Sequence, residues 1–334
     1  MSNKNFEKGI RSCRRLWWLG YVLMMFAVSL QKADAQSERQ RFRLMSFNTH
    51  HSEGVDGNLD LERVARVITS QGPTHVALQE LDSVTTRTKK VYQLAEFTRL
   101  TGMYGVFAKA IPYQGGSYGN GILSKEKPLS VKSVPIPGEE PRVLLMAEFD
   151  NYVFASTHLD GGEAYLDSAF TIIRKESVKW KKPFFIAGDW NCRPNNKFIT
   201  KLKQYFIIVT DEFSVPNDIP TYCIDYIAVM NRYATFNVIR KWVMNGSLAS
   251  DHCATCAIVD MYPPAGVGSV ETAKDKFAFS GNSVMFPQPD DVDRVSIRTF
   301  DGREIYGGEP RTVSLTPGNY VIMVDNDAVK VNVK

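Results

Sequence analysis

Histidine and cysteine are scarce in this chain, with five of each in 334 residues. Cys13 lies near the start, so Cys192, Cys223, Cys253 and Cys256 are the cysteines of the remainder. Cys253 and Cys256 have CxxC spacing but no second such pair follows, which argues against a zinc or redox centre. The four are read as small core residues, or as including one bridge between neighbouring strands. No apolar run reaches the ~20 residues that span a bilayer comfortably. No internal repeat or low-complexity tract is present, which excludes solenoid and fibrous architectures.

A large net charge is also missing. The whole chain carries 40 basic and 36 acidic residues. Residues 1–35 hold six of the former (Lys4, Lys8, Arg11, Arg14, Arg15, Lys32) and two of the latter (Glu7, Asp34), which leaves 34 of each sign. The early segment has a basic start and 15 uncharged residues from Leu16 to Leu30. Small side chains follow at Ala33 and Ala35. It reads as a secretory signal peptide, 1–35, cleaved after Ala35. The expected location is exported: periplasmic, cell-surface or secreted. The remaining chain is formally neutral, so the basic balance that favours a nucleic-acid partner is absent.

Beyond residue 35 the pattern alternates between strands and helices. Segment 42–47 alternates toward Asn48. Segment 59–69 has helical spacing of Leu61, Val64, Ala65, Val67 and Ile68, with Asp60 as its cap. Strand 75–79 delivers Glu80, and a helix follows at 92–101. Strands 104–111 and 121–124 flank the glycine-rich stretch 114–119. Strands 143–149 and 153–157 precede a long helix, 164–181, and the strand 184–187. A helix near 198–205 and strands 221–229, 235–243 and 253–261 complete a region 36–262. Several consecutive strands predict two packed mixed sheets with helices outside. Residues 263–270, rich in proline and glycine, read as a linker. Helical signals vanish beyond it, and 271–334 reads as a small all-β, sandwich-like domain.

The chemistry concentrates at strand ends. Gly188-Asp189-Trp190-Asn191 closes an apolar strand with a carboxylate and an amide two residues apart. Ligands gather at such carboxyl edges. Asn48, Glu80, Asn120, His158, Asp225, Asp251 and His252 repeat the strand-then-polar pattern. Hydrolysis of a phosphate ester needs a divalent cation, a group that positions or deprotonates water, a group that stabilises the leaving oxygen, and neutral donors for the equatorial oxygens. Glu80 is the best single ligand for a hard cation. Asp225 is a candidate partner that fixes the tautomer of His252. Arg87 is read evenly as a phosphate contact or a solvated side chain. Tyr118 is expected to shape the pocket or to pack, and Trp190 to wedge into the core. His50 and His51 are read as exposed loop residues.

Seven segments resemble, in order, those of the endonuclease/exonuclease/phosphatase superfamily. They are Ser46-Phe47-Asn48, Leu78-Gln79-Glu80-Leu81-Asp82, Gly119-Asn120-Gly121-Ile122-Leu123-Ser124, Thr157-His158-Leu159, Gly188-Asp189-Trp190-Asn191, Ile224-Asp225-Tyr226-Ile227 and Ser250-Asp251-His252. The resemblance covers about 41–262. It implies a four-layer α/β/β/α sandwich with Mg²⁺ or Mn²⁺ dependence. By motif, Glu80 would bind metal with Asn48 and Asp251. Asp189 would position or activate water, and Asn191 and His158 would hold the phosphate. His252, oriented by Asp225, would stabilise the transition state or transfer a proton. Asn120, Arg87 and Tyr118 are expected on the substrate side.

Such a fold leaves the substrate open. The neutral chain and the lack of a basic, aromatic-studded insertion favour a small or lipid-linked phosphoester acted on by a monomer. Nuclease activity on DNA or RNA is the alternative, and a non-catalytic binding protein on the same scaffold the third. The ending 315–324 resembles β-sandwich sorting domains of exported bacterial proteins, so sorting or packing is expected of it ahead of ligand binding.

Overall fold

The computed structural model describes residues 39–230, 232–262, 277–286, 295–309, 311–324 and 327–333. The expected signal peptide, the linker 263–270 and the start of the last domain lie outside them. Among the described residues no helix is long and apolar enough to cross a membrane.

Two six-stranded mixed sheets carry the larger region. The first contains β1 (Gln40–Asn48), β2 (His75–Ser83), β3 (Tyr104–Tyr113), β4 (Gly116–Ser124), β11 (Thr235–Met244) and β12 (Ala254–Tyr262), in the order β11-β12-β1-β2-β4-β3. The second contains β5 (Ser130–Ile136), β6 (Arg142–Glu148), β7 (Val153–His158), β8 (Phe184–Asp189), β9 (Phe206–Ile208) and β10 (Asp225–Met230), in the order β5-β6-β7-β8-β10-β9. Each sheet has one parallel pair, β1 with β2 and β7 with β8. Parallel neighbours need a crossover. Helices α1 (Leu61–Gln71) and α3 (Glu163–Lys179) provide the two.

Local sequence explains these helices. The Asp60 side chain caps α1 by accepting the Arg63 N–H, and Gly72 ends it in the left-handed conformation with φ of 56°. That is a side-chain cap at one end and a glycine stop at the other. Leu61, Val64 and Ile68 pack with α2 (Gln93–Thr101) against the outer face of the first sheet, beside Met45, Phe47 and Leu78. Leu166, Ala169 and Ile173 of α3 pack with α4 (Lys197–Leu202) on the outer face of the second, beside Phe184 and Ile186. Phe42, Leu44, Leu145, Phe154, Phe185 and Ile227 form the core between the sheets. The layers are α/β/β/α, as expected.

Two segments depart from the sequence reading. Stretch 114–119 turns only at Gln114 and Gly115, whose φ values are 42° and 75°. A two-residue hairpin of type I′ needs positive φ at both positions. Strand β4 then starts at Gly116, where an added Cβ would sit 2.2 Å from the Ser83 carbonyl oxygen. Strand β5 was not expected from a polar stretch containing Pro135. It lies at a sheet edge, where a proline leaves no ladder bond broken.

Beyond residue 262, β13 (Ala278–Ser280), β14 (Ser283–Met285) and β17 (Val313–Ser314) form a three-stranded sheet. β16 (Glu304–Gly308), β15 (Val295–Thr299), β18 (Gly318–Val324) and β19 (Asp327–Val333) form a four-stranded one. Phe277, Val284, Ile297, Leu315, Tyr320 and Ile322 share one core. This is the small all-β domain that the sequence predicts.

Candidate active site

Strand alternation aims the site residues into the gap between the sheets. Side chains two apart share a face. Phe42 and Leu44 belong to the inter-sheet core, and Asn48 continues their parity. Phe154 leads likewise to His158, and Phe185 and Ala187 to Asp189. Asp225 starts the series that continues with Ile227 and Val229, directly opposite Asp189. The carboxyl ends of both parallel pairs therefore meet the amino end of β10 and the segment before β12.

Glu80 breaks this parity. The pairing of β2 with β4 shifts between Leu78 and Leu81, and Glu80 has φ of 58°. Such a bulge re-aims a side chain. A non-glycine residue in that region costs of order 1–3 kcal/mol and marks a functional constraint. The result is a hydrogen bond of 3.0 Å from Asn48 Nδ2 to Glu80 Oε1.

The same Nδ2 donates to Asp189 Oδ2 at 3.0 Å, so one amide ties a carboxylate from each sheet. Below it, Ser46 donates to Gln79, and Gln79 to Ser156 on the second sheet, at 3.4 and 3.3 Å. The Asn48 Oδ1 accepts the His50 N–H at 3.1 Å. His50, His51 and Ser52 all have positive φ, and His51 is buried. The expectation that these histidines are exposed is corrected: the chain folds sharply back under Asn48, and Gln93 Nε2 holds the His51 carbonyl at 2.6 Å.

Asp189 is buried, and its Oδ1 accepts the Asn191 N–H at 2.9 Å. Asn191, at φ of 48°, turns its Nδ2 to the Leu159 carbonyl and to His158 Nε2, both at 3.0 Å. Asp189 Oδ2 lies 3.6 Å from His158 Nε2 and 3.7 Å from His252 Nε2. His252 Nδ1 is 2.9 Å from Asp225 Oδ2, which also accepts from Ser214 Oγ at 2.6 Å. Ser250 Oγ donates to the Asn48 carbonyl at 2.7 Å and sits 3.2 Å from Asp251 Oδ1.

Burial and charge set the protonation of this group. Burial pushes the Asp189 carboxyl up and Asp225 adds to it, while His252, the Asn191 N–H and Asn48 oppose. Burial works against a charged His252, but Asp225 and Asp189 outweigh it and raise the imidazole to about 10. His158 is pushed well below its ordinary value by burial, then by Arg142 and His252. The site thus pairs a neutral histidine with a cationic one across a shared carboxylate.

The substrate-side candidates are placed differently. Asn120 is buried and donates to the Val143 carbonyl at 2.9 Å, which ties β4 to β6. The Arg87 guanidinium grips Asp82 with two bonds of 2.6 and 2.9 Å and lies over the Tyr113 ring at 4.6 Å. Tyr118 Oη is 3.5 Å from His158 Nδ1. Trp190 is fully buried and stacks on Tyr226 at 4.6 Å, as a core wedge should. Cys192, Cys223, Cys253 and Cys256 are buried and free.

Four residues of this network carry no signal in the sequence. Ser214 and Asn217 support Asp225 and the His252 carbonyl from a loop with no periodic signal. Ser250, in the segment Ser250-Asp251-His252, ties that segment to the Asn48 carbonyl. Arg142 opens an apolar strand on the parity of Leu144 and Met146, which face α3, and its long side chain reaches round the sheet end.

The donor chemistry suits a divalent cation. Asn48 and His252 link three carboxylates, Glu80, Asp189 and Asp225. No cation pairs with Glu80 among the described residues. By distance, Asp189, Asp225 and His252 also form a cluster within 4.8 Å. Asn48 Nδ2 lies 3.0 Å from Glu80 Oε1, so those two residues offer a second place for a cation.

A search of curated proteins finds none that matches. Solved structures do match. An endonuclease/exonuclease/phosphatase from Beutenbergia cavernae is 18% identical with a TM-score of 0.57, covering 88% of this chain and 100% of that one. One from Bacteroides vulgatus is 15% identical with a TM-score of 0.57, covering 66% and 99%. A mannosyl-6-phosphatase from Bacteroides thetaiotaomicron is 12% identical with a TM-score of 0.52, covering 66% and 99%. Likeness at these identities concerns the fold. The model of the Endonuclease/Exonuclease/phosphatase family matches residues 45–252, well over half the chain. The chain therefore belongs to the endonuclease/exonuclease/phosphatase family and is a metal-dependent hydrolase of phosphoester bonds.

Proposed function

We propose that this protein is an exported phosphoesterase that uses Mg²⁺ or Mn²⁺ and acts on a small or lipid-linked phosphate ester. The observation that carries the reading is the convergence on Asp189: Asn48, Asn191, His158 and His252 surround one buried carboxylate. Glu80, aided by Asn48 and Asp251, would hold the cation. When bound, the cation would neutralise phosphate charge and favour hydroxide formation.

The chain's own groups divide the rest. Asp189, with its carboxyl raised toward neutrality, accepts a proton from the attacking water. His158, oriented by Asn191 through Nε2, holds a phosphate oxygen without adding charge. His252, kept cationic by Asp225, gives its Nε2 proton to the leaving oxygen. One P–O bond forms to water and one breaks to the alcohol. A neutral chain after residue 35 does little to attract a polyanion, which favours a small substrate over DNA or RNA. That a neighbour of the same fold is named a mannosyl-6-phosphatase supports a place for a monoester on this scaffold.

The test is hydrolysis of bis-p-nitrophenyl phosphate and p-nitrophenyl phosphate with and without Mg²⁺, beside nicking of supercoiled DNA. Metal-dependent release of p-nitrophenol that outpaces nicking supports the reading. Strong nicking abolished by Glu80→Ala would transfer it to a nuclease. Turnover of none of the three would leave a binding protein. For the last domain we infer sorting or packing. A chain ending at Pro264 should keep its turnover and change its location.

A further inference from the structure

Arg142 stands where hydrogen-bond donors gather. Its Nη1 is 3.5 Å from Tyr118 Oη and 3.4 Å from His158 Nδ1, and its side chain is only 12% exposed. Its one strong partner is Glu140 Oε1 at 2.5 Å, which is 45% exposed and lies on the solvent side. Its Nε is buried and bonded to nothing.

The tautomer of His158 follows from its neighbours. Asn191 Nδ2 faces the Leu159 carbonyl and His158 Nε2, and an amide N–H only donates. Nε2 therefore accepts, and the imidazole proton sits on Nδ1, facing Tyr118 and Arg142. A guanidinium cannot donate to a protonated nitrogen, so that 3.4 Å contact places two donors side by side. Tyr118 stays a neutral phenol, since burial and then Glu80 push its ionisation upward. Three donors thus converge within 3.5 Å, and only the phenol oxygen can accept among them. Donors in this arrangement suit an oxygen carrying full negative charge.

The number of terminal oxygens distinguishes substrates. A phosphodiester has two and one charge, whereas a monoester has three and up to two charges. In a transition state that spreads charge over three equatorial oxygens, a diester presents an esterified, weakly accepting oxygen at one corner. The geometry points to Arg142, with Tyr118 and the Nδ1–H of His158, as the seat of the third terminal oxygen of a phosphomonoester. Arg142 then determines specificity for monoesters over diesters. This rests on the phosphoesterase reading above and narrows its substrate class.

The experiment compares kcat/KM for p-nitrophenyl phosphate and bis-p-nitrophenyl phosphate, with Mg²⁺, in wild type, Arg142→Gln and Arg142→Lys. Loss of a charged hydrogen-bonding group predicts a fall of about 100-fold on the monoester in Arg142→Gln and of less than about fivefold on the diester. The lysine variant should recover part of the monoester rate through charge alone. Retained diester turnover reports that the variant is folded. Equal losses on both substrates, or none on either, overturn the assignment. So does a wild type that cleaves only the diester, an outcome that leaves the phosphoesterase reading standing. A wild type that cleaves neither overturns both.

Discussion

Asn48 on the first sheet donates to Asp189 on the second at 3.0 Å, with the same nitrogen that holds Glu80. One side chain therefore joins the metal-holding end of the site to the water-positioning end. Asn48→Ala should lower kcat/KM on p-nitrophenyl phosphate by about 100-fold or more, the scale of losing a preorganised donor in a closed site. Asn48→Asp should do at least as much harm, since it places a third carboxylate against two others. Steady-state kinetics with a circular dichroism check of folding measures both.

The Asp225–His252 pair makes a charge prediction. In metal-free protein the His252 imidazole should remain protonated until pH approaches about 10. Its folded value is raised above the unfolded one. Its contribution to stability is therefore complete below about pH 6.5 and is lost as pH rises toward 10. Asp225→Asn should bring the titration down, flatten that decline, and reduce turnover by about 100-fold or more. Nitrogen-resolved NMR titration of the histidines reads the first effect and urea melts the second.

Cation binding should be visible without turnover. Saturating Mg²⁺ or Mn²⁺ should raise the melting temperature of the wild type by several degrees, following the stabilisation of about 2.7 kcal/mol expected at a hundredfold excess over Kd. Glu80→Gln should lose most of that shift. If the variant keeps it, the cation is held elsewhere. EDTA should return the wild type to the metal-free value.

His75 predicts an acid-side effect remote from the chemistry. Burial lowers its imidazole to about 3, and its Nε2 is 2.9 Å from Tyr152 Oη. The folded value lies below the unfolded one, so its support is complete above about pH 6.5 and fades as pH falls toward 3. At pH 5 the loss is about 2 kcal/mol. His75→Gln should flatten the slope of unfolding free energy between pH 6.5 and 5, whatever it does to stability at pH 7.

Much of this site is written in the period of two. Phe42-Leu44-Asn48, Phe154-His158 and Phe185-Asp189 could be read from the sequence because each polar residue continues an apolar parity. The first crossover helix follows from Asp60 and the spacing of Leu61, Val64 and Ile68. Glu80 was legible as a residue type, but its inward aim depends on a bulge at positive φ that no pattern announces. Arg142 was missed because its parity points to α3 and only side-chain length brings it back. Asn120 and Arg87 were legible as polar loop candidates, yet their partners, the Val143 carbonyl and Asp82, are set by sheet register and hairpin geometry.

Strands β11 and β12 return to the first sheet beside β1, after the whole second sheet has been laid down. Asp251 and His252 arrive on that returning segment. A chain emerging from the ribosome can pair β1 with β2 early, but it cannot finish the first sheet until residue 262 is free. Catalytic competence is thus acquired only after both six-stranded sheets have been synthesised. A nascent or prematurely terminated chain holds Asn48, Glu80 and Asp189 without the histidine that completes them.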